Sequence, residues 1–132
     1  MGRISLENVR KAFGDVEVIP GVTSASALTA AHRIVANRVG EPIHTTTGRR
    51  LAETPAGADA NQIVMLDADL SFRHTADPDD HIWWGAYVGT EDEILISGKV
   101  GEVTDRIVEA RAEARDRIGW IMDIYLLRKS RR

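Results

Sequence analysis

The chain has 132 residues, with 17 Lys and Arg against 20 Asp and Glu and a formal net charge of −3. That length fits one domain of ~100–200 residues, so a single domain over 1–132 is expected, with a core large enough to need neither metal nor disulfide. Hydrophobic residues at 43% and charged residues at 28% exclude a wholly disordered chain, and the lack of cysteine excludes a disulfide scaffold, a zinc ribbon, an iron–sulfur cluster and a thiol nucleophile.

The acidic balance argues against a nucleic-acid partner, although the C-terminal Arg128-Lys129-Ser130-Arg131-Arg132 is locally basic. No apolar run approaches the ~20 residues of a membrane span, and no signal-peptide core opens the chain, so a cytoplasmic location with no membrane partner is expected.

In chain order, a strand is expected at 16–19, followed by a helix over 24–39. Thr23 or Ser24 would cap that helix, Gly40 and Pro42 would stop it, and Leu28, Ala31, Val35 and Val39 would form its buried stripe. The stretch 45–61 is rich in Thr, Gly, Ala and Pro and reads as loop, whereas 62–72 alternates as a strand. A polar turn over 74–80 leads to an aromatic-rich strand at 81–88, which pairs with 93–97 across the turn 89–92. The helix at 102–118 carries the clearest signal: Val103, Ile107, Ala110, Ala114 and Ile118 recur at spacings of three and four, and Gly119 closes it. A strand over 120–127 follows. Setting 41–80 aside as an inserted loop and strand leaves β-α-β-β-α-β. That is the ferredoxin-like α+β plan, with both helices on one face of an antiparallel sheet. The uncovered face, with Trp83, Trp84 and Trp120 as covers, points to a homo-oligomer.

Candidate chemistry is sparse. His74 to His81 gathers two imidazoles with Asp77, Asp79 and Asp80. Asp67 and Asp69 alternate along the strand expected at 62–72 and would share a face, where two carboxylates can divide acid and base roles. His74, His81, Asp67 and Asp69 are therefore the catalytic candidates if the chain is a small oligomeric enzyme with its site between subunits. The alternative is that these residues are a solvated turn and the polar half of a strand. The chain carries no Gly-x-Ser-x-Gly elbow, phosphate loop or GxGxxG, and no ligand spacing calls for a metal or cofactor.

The last third resembles the bacterial microcompartment shell domain. Gly89-Thr90-Glu91-Asp92-Glu93-Ile94-Leu95-Ile96-Ser97-Gly98-Lys99-Val100-Gly101-Glu102-Val103 is similar to that family's loop, apolar strand and Gly-x-Val-x-x-Val turn into its second helix. The resemblance implies a structural subunit of a cyclic trimer or hexamer, without catalytic residues and around a central metabolite opening. Gly89, Thr90 and Glu91 would line that pore, and Arg128 and Lys129 would join neighbouring tiles. The competing functions are the small enzyme above and a module that senses a small molecule, because one fold serves many functions.

Overall fold

The computed structural model describes residues 20–53 and 60–131. The elements are α1 (Ser24–His32), β1 (His44–Thr47), α2 (Gly48–Glu53), β2 (Asn61–Met65), α3 (Phe72–Thr75), β3 (His81–Ala86), β4 (Ile94–Lys99), α4 (Val100–Ile118) and β5 (Asp123–Arg128). The strands form one sheet in the order β1-β2-β5-β3-β4. β1 lies parallel to β2, and every other neighbouring pair is antiparallel. It follows that β1, β2 and β3 point one way while β4 and β5 point the other.

This mixed sheet corrects the ferredoxin-like expectation on two counts. The segment 41–80, set aside as an insertion, supplies β1 and β2 and so two of the five strands. The helices also occupy both faces. Alternation along the strands sends Val64, Ile82, Trp84, Ala86, Tyr125 and Leu127 towards α2, α3 and α4, where Leu51, Phe72, Val103 and Ile107 meet them. Ile63, Trp83, Ile124 and Leu126 point the opposite way, onto Leu28 and Ala25 of α1. The strand expected at 16–19 lies outside the described residues.

α4 forms as its periodicity requires. Val100, Val103, Ile107 and Ala114 are buried, and Gly119, at a φ of 92°, donates its N–H to the Arg115 carbonyl. The junction before it also has a steric cause. Gly98 has a φ of 151°, and a Cβ there would sit 2.7 Å from Val103 Cγ1, so the strand-to-helix corner needs a residue without a side chain.

α1 begins at Thr23, whose Oγ1 accepts from the Ser26 N–H at 3.1 Å, but it ends seven residues before the expected 39. Arg33 turns left-handed at a φ of 57°, and the N–H of Ile34 reaches back to the Thr29 carbonyl at 3.0 Å. Two β-branched residues, Ile34 and Val35, follow where helix propensity is weak. Ile34 and Ala36 then pack on the sheet while Val35 and Val39 stand in solvent, so the expected stripe is real only at its start. Among the described residues, no helix is long and apolar enough to cross a membrane.

Candidate functional site

The parallel run of β1, β2 and β3 brings the carboxyl ends of β2 and β3 to one end of the sheet, on either side of the amino end of β5. Met65 stands opposite Ile124, and Ala86 opposite Asp123. Crevices beyond the carboxyl ends of strands are the usual ligand sites of sheets packed by helices. Both exits are bent by residues in left-handed backbone: Leu66 at a φ of 54° and Tyr87 at 50°. Each such non-glycine residue costs about 1–2 kcal/mol, so the surroundings must hold it in place.

Tyr87 is held by its N–H on the Met122 carbonyl at 2.9 Å and its hydroxyl on the Trp120 carbonyl at 2.5 Å. Below Leu66, Asp67 is nearly buried. Its carboxylate accepts from the Ser71 N–H at 2.7 Å, the Ser71 hydroxyl at 2.9 Å and the Tyr125 hydroxyl at 2.6 Å. Burial, followed by the Asp67 carboxylate itself, pushes the Tyr125 pKa far upward, so this hydroxyl remains a donor.

These exits enclose a hollow of about 220 Å3, lined by Ser24 and Ala27 of α1, Met65 and Leu66 after β2, Val88 after β3, and Met122, Asp123 and Ile124. Apolar side chains dominate it, yet Leu66 and Met122 remain 82% and 67% exposed, an unusual outlay of hydrophobic surface. Ser24 and Asp123 are the polar residues of the wall, and of the two Asp123 is charged. Its Oδ2 accepts from Trp84 Nε1 at 3.0 Å and Arg111 Nε at 2.9 Å, while Oδ1 has no hydrogen bond among the described residues. A second hollow of about 340 Å3 shares Leu66, Met122 and Asp123 with the first and adds Asp67, Ala68, Arg111 and Ile121. An apolar slot with one anchored carboxylate suits a flat heteroaromatic ligand bearing hydroxyl or amino donors.

The residues proposed from sequence are scattered. Asp67 lies beyond the end of β2, not on a strand shared with Asp69, and its oxygens are occupied; Asp69 is exposed. His74 is exposed on α3. His81 opens β3, roughly 16 Å of strand away from the Ala86 end at about 3.3 Å per residue. It stacks on Trp83 with ring centroids 4.1 Å apart. Asp80 accepts the N–H groups of Asp77 and Ser130 at 3.0 Å each, which makes 74–81 a folded turn. Among the described residues, no three His, Asp or Glu gather as a metal site.

Gly89, Thr90 and Glu91 form a self-closed turn in which Thr90 Oγ1 donates to the Tyr87 carbonyl at 2.6 Å and Glu93 Oε1 accepts from the Gly89 N–H at 3.0 Å. Of the expected interface residues, Trp84 is wholly buried. Trp83 lies beneath the Arg128 guanidinium at 4.7 Å, and Trp120 packs edge-on to Tyr87 at 5.2 Å. Arg128 is also spent inside the molecule, on Asn61 Oδ1 at 2.7 Å and the Val35 carbonyl at 2.8 Å, and the Lys129 carbonyl accepts from Arg38 at 3.0 Å.

The slot residues Leu66, Val88, Met122 and Asp123 escape sequence reasoning because exposure of an apolar side chain has no sequence signature. One signal was present: Asp123 interrupts the apolar run Ile121-Met122-Asp123-Ile124.

A family model described as tetrapyrrole (corrin/porphyrin) methylases matches residues 1–104. The chain is 56% identical over 123 residues to a precorrin-6A synthase (deacetylating) of Sinorhizobium sp, covering 90% of this chain and 47% of that protein. It is 44% identical to a solved cobalamin-synthesis-related protein of Corynebacterium diphtheriae, with a TM-score of 0.81 over 93% of this chain and 53% of that one. A Thermus thermophilus uroporphyrin-III C-methyltransferase, solved with S-adenyl homocysteine, shares the fold at a TM-score of 0.53 and 19% identity, over 90% of this chain and 55% of that one. The chain thus spans about half the length of these relatives.

The matches overturn the microcompartment shell expectation, with its structural role and its leaning away from catalysis, since the matched family is one of methylating enzymes. The Gly98-to-Val103 corner that suggested a shell domain is a steric solution open to any strand running into a helix. By the extent of the family match, the chain belongs to the tetrapyrrole (corrin/porphyrin) methylases.

Proposed function

We propose that the chain forms part of a methyltransferase acting on a corrin precursor, and that the slot between Leu66, Val88 and Met122 receives the adenosyl part of an S-adenosyl methyl donor. The observation that carries this is the 56% identity to a precorrin-6A synthase. The deacetylating activity in that relative's name makes methyl transfer, with an acetyl group cleaved by water and released as acetate, the expected reaction. The slot suits the donor in chemical terms. A purine ring stacks on apolar walls such as Leu66, Val88 and Met122, and the free Oδ1 of Asp123 can accept from an amino or hydroxyl group. When bound, the donor supplies an electrophilic methyl group. The chain's own part is to hold the adenosyl moiety, exclude water from its faces and fix its orientation through Asp123, which Arg111 and Trp84 keep in place. A cytoplasmic location goes with this reading. So does association of copies, without nucleic acid or membrane.

Calorimetric titration tests the proposal. S-adenosyl homocysteine and adenosine are expected to bind and compete for one site, with homocysteine alone far weaker. Heat from neither nucleoside would remove the reading.

A further inference from the structure

The chain has three methionines and no cysteine, so its sulfur chemistry is confined to thioethers. Met1 lies outside the described residues; the other two, Met65 and Met122, both line the slot. Their surroundings differ. Met65 is half-buried and packs against the cluster of Leu28, Ile63, Ile124 and Leu126. Met122 is 67% exposed and stands on the rim shared by the slot and the second hollow. Its backbone is pinned there. The Met122 carbonyl accepts from the Tyr87 N–H at 2.9 Å, and the next side chain, Asp123, is tied to Trp84 and Arg111. An exposed thioether is open to peroxide, whereas a packed one is shielded, and the product is a polar sulfoxide.

We infer that Met122 is a reversible oxidation site that gates the slot: peroxide turns its thioether into a sulfoxide and closes the slot to the adenosyl donor. The inference rests on the proposed function for its choice of ligand. In the step, one oxygen of hydrogen peroxide bonds to the sulfur, the O–O bond breaks, and the other oxygen leaves as water with both hydrogens. The sulfur gives up two electrons and the peroxide takes them. With a sulfoxide reductase, two thiols reverse the step: the S–O bond breaks, the oxygen leaves as water, and the thiols become a disulfide. A thioether is soft and apolar and lies well against a purine face. A sulfoxide carries an oxygen that keeps its own water, and covering it with the adenosyl group strips that water away. The wall returns little. Among the described residues lining the slot, Ser24 alone has a side chain that donates, and the Asp123 carboxylate only accepts. Arg111, across the second hollow, already gives its Nε to Asp123 at 2.9 Å.

The test treats the full chain with dilute hydrogen peroxide and maps the modified methionines by peptide mass spectrometry. After the peroxide is removed, S-adenosyl homocysteine is titrated by calorimetry. Met122 is expected to gain one oxygen well before Met65, and saturating adenosine, which carries no sulfur, to slow that gain. The oxidised chain should bind S-adenosyl homocysteine at least about tenfold more weakly at an unchanged melting temperature. Sulfoxide reductases for both epimers, with dithiothreitol, should restore the binding. M122L, whatever its starting affinity, should keep that affinity through the treatment, while M65L should lose it as the parent does. Met65 oxidised first, oxidation of Met122 at the same rate with and without adenosine, or full affinity after Met122 is oxidised would overturn the inference. So would a loss that survives in M122L, a loss that reductases leave in place, or a loss that comes with a lowered melting temperature. Each of those results leaves the donor reading standing if the untreated chain binds S-adenosyl homocysteine. No binding by the untreated chain removes the donor reading itself, and the gate with it.

Discussion

The two ends of the sheet use their polar groups in opposite ways. Where β2 and β3 begin, Arg128 spans Asn61, the Val35 carbonyl and the Trp83 ring, Asn61 donates to Glu41 Oε1 at 3.1 Å, and Asp80 receives two backbone N–H groups. The polar groups named there are occupied within the molecule, although the buried Gln62 Nε2 has no partner among the described residues and a hollow of about 710 Å3 lies against Asp80, Lys129 and Ser130. Where the same strands end, hydrophobic side chains stand in water, backbone strain is tolerated at Leu66 and Tyr87, and one oxygen of Asp123 has no partner among the described residues. The closed end provides stability that the open end can spend. A residue rich in chemistry is therefore a poor guide to the site when its bonds are already taken, as with Asp67 and Asp80.

This contrast breaks most severely at Asp67, which locks the base of the open end. Asp67→Ala strands the buried Tyr125 hydroxyl and removes three hydrogen bonds, so urea unfolding should show a loss of about 3 kcal/mol or more. Arg128→Ala at the closed end gives up two hydrogen bonds and the Trp83 stacking and should cost about 1–3 kcal/mol by the same assay, with the affinity for S-adenosyl homocysteine unmoved.

A smaller effect is expected from pH. Burial first, then Arg128 and His32, hold the His81 pKa below its ordinary 6.5. The unfolded chain thus takes up this proton before the folded one does. Stability is full above pH 6.5 and falls as the pH drops from there through the lowered folded value. Denaturant midpoints on either side of pH 6.5 should show that decline, and His81→Asn should flatten it. Least of all in stability is Met122→Asp. A side chain already 67% exposed should change unfolding by no more than about 0.5 kcal/mol, yet donor affinity should fall at least about tenfold. If that variant bound the donor normally, the open end would not be the site.

Much of the scaffold was legible where one kind of pattern ran long enough. α4 declared itself through nineteen residues of regular burial, and the β3–β4 hairpin through aromatic and β-branched runs either side of a polar turn. Within the segment 41–80, β2 was legible as the start of the strand expected at 62–72, but β1 and α2 were not, for physical reasons. β1 is the four-residue His44-Thr45-Thr46-Thr47, an edge strand with no apolar residue to alternate, and α2 has six residues, too few for a helical period to show. Misreading these as loop turned a mixed sheet with helices on both faces into a ferredoxin-like one. α1 was overextended because a left-handed Arg33 has no sequence mark. The site was hidden for a related reason: it consists of apolar residues whose distinction is their exposure, which only tertiary structure reveals.

The most direct measurement is amide chemical-shift mapping of the chain titrated with S-adenosyl homocysteine. The account requires the perturbed amides to cluster at Ser24, Ala27, Leu66, Val88, Met122 and Ile124, around the open end of the sheet. Perturbation centred on 74–81 or on the 89–92 turn, or no perturbation at saturating ligand, would contradict it.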